Sequence, residues 1–66
     1  MTVNEIAKQE FKKVKKATRM IGIYKSGEQI VPDYADEMLE TYGNKEVNDY
    51  KLVQKNGMNI LVVALA

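Results

Sequence analysis

Five cations, Lys8, Lys12, Lys15, Lys16 and Arg19, recur at three- and four-residue spacing in the first third of this chain. On a helix, that spacing gathers side chains onto one face. A lysine-rich face can follow a phosphate backbone, releasing counterions as each phosphate is neutralised. Sequence-specific base reading fits less well. Arginine, the preferred guanine reader, occurs once, and Asn4 and Gln9 lie only near the start of the segment. No helix-turn-helix, zinc or RNA-platform pattern accompanies the lysines. The same residues also suit a solvated helix face or a surface that docks on an acidic protein.

Other chemistry has less to work with. The chain contains no His and no Cys, the usual neutral-pH base and the usual thiolate nucleophile or metal ligand. Thr2, Thr18, Ser26 and Thr41 therefore have no imidazole to activate them. Lys25 beside Ser26 falls in a turn signal, where the amine is solvated. Asp33, Asp36, Glu37 and Glu40 could hold a hard cation through oxygen. A simpler account is an outward acidic face that complements a helix N-terminus. Gly22, Gly27, Gly43 and Gly57 are too far apart for a phosphate loop, and no calcium-loop pattern is present. The expectation is a non-enzymatic protein without cofactor or metal.

Charge is segregated along the chain. Residues 1–26 hold seven cations and two anions, a net of +5, and residues 27–66 hold three cations and seven anions, a net of −4. The formal total of +1 hides a polarity able to steer a partner. Sixty-six residues make one domain, in which only about 60% of the unfolded surface is buried on folding. Without disulfides, such a core favours oligomerisation or a bound partner as extra burial. Residues 1–16 are interrupted by charges, unlike a secretory leader. The longest apolar run, residues 60–66, is far short of the ~20 residues of a membrane span. A cytoplasmic protein is expected, without membrane association. Lysine in excess of arginine, with many Asn and Ile, fits the AT-rich genome of a low-GC bacterium or its phage.

The elements that must position these residues follow from periodicity. Thr2 with Glu5 is a capping-box pattern, opening a helix expected over residues 3–19. Its apolar arc is Val3, Ile6, Ala7, Phe11, Val14, Ala17 and Ile21. Glu10 intrudes on that arc, to sit at the core rim or pair with a cation. Residues 20–24 suit a strand, Ser26-Gly27 a turn, and residues 29–31 the return strand, ended by Pro32. Asp33 is the expected N-cap of a second helix whose apolar face is Tyr34, Ala35, Met38, Leu39 and Tyr42. Gly43 or Asn44 is its expected left-handed stop. Asn56-Gly57 joins strands over residues 47–55 and 58–65, the strongest short hairpin signal.

The fold expected is α+β, in the order α-β-β-α-β-β: a mostly antiparallel sheet of about four strands with two helices packed on it. The two hairpin turns resemble each other at an offset of 30 residues, which convergent turn chemistry explains more simply than duplication. The four tyrosines are expected in the core or at its rim. The last strand is apolar on both faces: Ile60, Val62 and Ala64 point one way, Leu61, Val63 and Leu65 the other. Both faces then need cover, from helices on opposite sides or from a second copy. Ile60, Leu61, Val62, Val63 and Leu65 are the expected oligomer or partner interface. If that strand lay at the sheet edge, its free backbone would also invite strand addition. The functional expectation is a small interaction module of adaptor or inhibitor type, homodimeric, with an unidentified protein partner. The alternative is nucleic-acid binding through Lys8, Lys12, Lys15, Lys16 and Arg19.

Overall fold

The computed structural model describes residues 1–14 and 18–66. Two helices and four strands follow in the expected order: α1 (Val3–Phe11), β1 (Thr18–Lys25), β2 (Glu28–Tyr34), α2 (Ala35–Tyr42), β3 (Val47–Lys55) and β4 (Met58–Leu65). The sheet order is β2-β1-β4-β3. Both hairpins are antiparallel, and the central pair, β1 with β4, is parallel. The sheet is thus mixed rather than purely antiparallel. The central strands are the first of one hairpin and the second of the other, so the two halves are not related by an internal two-fold.

The start of α1 is fully satisfied. Glu5 N–H donates to Thr2 Oγ1 at 3.3 Å and Thr2 N–H to Glu5 Oε1 at 2.8 Å. Val3 and Asn4 N–H, otherwise orphaned in the first turn, donate to Lys45 O and Gly43 O at 3.0 and 2.9 Å. These bonds fix α1 against the end of α2. Gly43 is right-handed (φ −54°), not the left-handed stop expected. Its need for glycine is spatial: a Cβ there would stand 2.6 Å from the Asn4 amide and would crowd the Leu39 carbonyl.

Helix α1 ends at Phe11, well before Arg19. Further helix would stack Lys12 against Lys8 and then against more lysines at repulsive spacing. Thr18 and Arg19 instead pair with Met58 and Asn59 of β4, a tertiary gain that overrides helical periodicity. The expected helical course over residues 15–17 lies outside the described residues.

Three local expectations at the second hairpin strand and α2 are corrected. Strand β2 runs through Pro32, because it is an edge strand with a register irregularity between Ile21 and Ile23, the two settings in which proline is tolerated. The Pro32 ring lies over Gly22, its Cγ 3.2 Å from where a Cβ would be. Asp33 does not cap α2. It sits in β2, and its Oδ1 accepts from the adjacent Tyr34 N–H at 2.7 Å. Tyr34 is likewise in β2, not on the apolar face of α2. Both turns form as expected, with positive φ at Ser26 and Gly27 (49° and 80°) and at Asn56 and Gly57 (49° and 76°), the twist that two-residue hairpins require.

Both helices pack on one face of the sheet. Val3, Ile6, Ala7 and Phe11 of α1 and Ala35 and Met38 of α2 form one core with Ile21, Ile23, Leu61 and Val63. Leu52, Leu65 and Tyr42 pack at its margin. Glu10 resolves as a rim residue, 8% exposed. Its Oε2 accepts from Gln9 Nε2 at 3.1 Å and Lys13 Nζ at 3.2 Å. These bonds hold its carboxyl below the ordinary value, with burial opposing.

Candidate interaction surfaces

With both helices on the Leu61 and Val63 side, no element among the described residues covers the other side of the sheet. Strand alternation and register define it. Thr18, Met20, Gly22 and Tyr24 of β1 lie beside Met58, Ile60, Val62 and Ala64 of β4. None of these eight central positions is charged. A sheet face meant for water normally alternates to polar residues, and here the charged residues stand only at the margin. Asp49, Lys51 and Lys55 flank it on β3, with Val53 between. Tyr34 and Gln29 flank it on β2. Tyr24, Tyr34 and Tyr50 are 44%, 59% and 36% exposed, so three of the four tyrosines lie outside the core. A shallow depression on this face is lined by Tyr24, Asp49, Lys51, Val62 and Ala64.

The structure divides the interface residues expected on β4. Ile60 and Val62 lie on the uncovered face. Leu61 and Val63 are fully buried under the helices, and Leu65 packs at the core margin. β4 is central, flanked by β1 and β3, so its backbone is paired on both sides and strand addition to it is ruled out. The sequence signal for the uncovered face was the double-sided apolar pattern of β4, but pattern alone could not say which side the helices would take.

A second surface lies between the helices, on the opposite side of the molecule. A groove of about 540 Å³ is lined by Asn4, Ala7, Lys8, Phe11 and Lys12 of α1 and its C-terminus, Arg19 of β1, and Ala35, Asp36 and Leu39 of α2. Three of the five expected nucleic-acid-binding cations, Lys8, Lys12 and Arg19, meet here, although not along one helix. Lys15 and Lys16 lie outside the described residues. Arg19 reaches back from β1: its guanidinium carbon stands 5.6 Å from the Phe11 ring centroid, and its Nη2 donates to Phe11 O at 3.3 Å. Arg19 thus closes a carbonyl at the cationic-preferring end of α1 and covers its last aromatic ring. Residues eight apart gave no local signal of this contact.

The acidic residues do not converge. Asp36, Glu37 and Glu40 are exposed on α2, and among the described residues no three acidic side chains are placed to share a cation. No helix among the described residues is long and apolar enough to cross a membrane. Comparison with protein-family models, curated proteins and solved structures finds no match to this chain.

Proposed function

We propose that this protein is a non-enzymatic, cytoplasmic interaction module of adaptor or inhibitor type that works as a homodimer, with the uncovered sheet face as the dimer interface. One observation carries the reading: the eight outward positions of the two central strands hold no charge. The face is bounded by molecular dimensions of 30 and 20 Å. It therefore offers on the order of 600 Å² per copy, and a pair would bury about 1,200 Å², the lower end of specific interfaces.

The margin is compatible with a two-fold. Face-to-face sheets pack with their strands roughly aligned. A dyad near β1 and β4 then lays the β3 margin of one copy, with Lys51 and Lys55, over the β2 margin of the other, with Tyr34 and Gln29. Lysine stems and ammonium groups pack favourably on tyrosine rings. Light scattering of the purified protein, with and without a mixed-sequence duplex at low and physiological salt, tests this. A dimer indifferent to DNA supports it. A stable monomer at micromolar concentration overturns it. A salt-sensitive mass increase with the duplex would assign the work to Lys8, Lys12 and Arg19 instead.

A further inference from the structure

The groove between α1 and α2 has a different chemistry from the uncovered sheet face, and its use does not depend on dimerisation. Its floor is apolar, built from Ala7, Phe11, Ala35 and Leu39. Its two walls differ in sign. Lys8 and Lys12 stand along the α1 wall, four residues apart and therefore about 6 Å apart along the axis, and both are exposed. Arg19 adds a third cation at the floor's end. Asp36 stands on the α2 wall. Among the described residues, Lys8, Lys12 and Arg19 make no ion pair.

We infer that this groove docks an amphipathic segment of a partner protein, whose apolar side chains enter over Leu39 while its carboxylates meet Lys8 and Lys12. Charge complementarity sets both composition and direction. The segment carries acidic residues on the side facing α1 and none on the side facing α2, where Asp36 repels them. A nucleic-acid strand fits the same groove poorly. Its phosphates are uniformly negative and would run beside Asp36. The groove also lacks an open aromatic platform for bases, because Phe11 is 6% exposed and already covered by Arg19.

The test is selection from a random-sequence peptide display library against the wild-type protein. Recovered peptides are then synthesised and titrated calorimetrically against wild type and the Lys8→Glu/Lys12→Glu double variant. The neutral Lys8→Gln/Lys12→Gln pair serves should the reversal unfold the chain. Recovered peptides should combine aliphatic residues with Asp or Glu at three- or four-residue spacing. Two charge reversals should weaken them by about tenfold or more, from typical single-pair contributions. Lysine in place of the peptide carboxylates should restore binding to the reversed variant. Amide shifts on binding should map to α1 and α2. Failure to recover any peptide, recovery of peptides without carboxylates, or equal affinity for the variants would overturn the inference. So would shifts confined to β1 and β4, or a mixed-sequence duplex that binds Lys8 and Lys12 and displaces the peptides.

Discussion

Val62 and Val63 are neighbours on β4 with opposite orientations, and arginine at each should give opposite phenotypes. Val63 is fully buried beneath the helices, with Ile21, Ile23 and Leu61 in the same cluster. A guanidinium there has no partner, and an uncompensated buried charge costs several kcal/mol. A 66-residue chain has a total stability of about 3–10 kcal/mol by the usual per-residue range. Val63→Arg should therefore be unfolded or nearly so. Val62 faces the uncovered side, between Gly22 on β1 and Lys51 on β3. In an isolated subunit, arginine there projects into water, and the change in strand preference is at most about 1 kcal/mol.

In a sheet-to-sheet dimer, the same arginine is trapped against the apolar face of the second copy. Loss of valine burial and desolvation of the charge together exceed about 4 kcal/mol, which raises the dissociation constant by about a thousandfold. Sedimentation equilibrium and circular-dichroism melts over a range of concentrations would read both quantities. The wild type should show a dimer mass and a Tm that rises with concentration. Val62→Arg should show a monomer mass, a cooperative melt and no concentration dependence. A Val62→Arg protein with the wild-type dimer mass would refute the assignment of this face, and a folded Val63→Arg protein would refute the helix-covered core.

Three further outcomes follow from the same geometry. Glu5 is held below its ordinary value of 4.5 by the Thr2 backbone N–H and then its hydroxyl, and Glu10 by Gln9 and then Lys13; because the unfolded state binds more protons, their stabilisation is complete above 4.5 and lost as pH falls through the lowered values. With no His, thermal melts should be nearly flat between about pH 6 and 8 and decline below 4.5, whereas a midpoint near neutrality would contradict this. Gly43→Ala should lower stability by about 1–3 kcal/mol in urea titration, because the new methyl meets Asn4 and the Leu39 carbonyl; an unchanged midpoint would show that the α1–α2 junction is looser than described. Val62→Arg should bind soluble acidic peptide like the wild type yet lose about 10²-fold or more on a dense peptide-coated surface, and equal losses in both formats would deny that the dimer presents two grooves.

The last hairpin was legible to the residue, from Val47–Lys55 to Met58–Leu65, because Asn56-Gly57 fixes the turn and a two-residue turn fixes the register. The end of α1 was not. Val14, Ala17 and Ile21 continue the helical period of Val3 and Ala7, so local pattern favoured helix through Arg19. The competing term is the parallel pairing of Thr18–Tyr24 with Met58–Ala64, contacts about forty residues distant that no local window contains. Pro32 misled for a related reason: its meaning depends on whether the strand is at an edge, and strand order is a tertiary property. The uncovered face was half legible. The sequence of β4 demanded cover on two sides, and only the placement of both helices on Leu61 and Val63 identified Ile60 and Val62 as the side left open.

The linear charge split acquires a direction in the folded protein. Lys8 and Lys12 on the α1 side and Asp36 on α2 end on opposite banks of one groove, so the molecule is polar across the helical layer rather than simply basic at one end. A surface evolved only for solubility has no need to keep the signs apart, since interspersed charges serve as well. A polyanion-binding surface would keep the acidic bank away from the cations. Separation across an apolar floor suits a ligand that is itself sided. The sheet face has the complementary property, apolar at the centre with both signs at its margin, as expected where like meets like across a two-fold. Because the two surfaces lie on opposite layers of the fold, a dimer closed through the sheets leaves both grooves outward, and occupation of one surface does not obstruct the other.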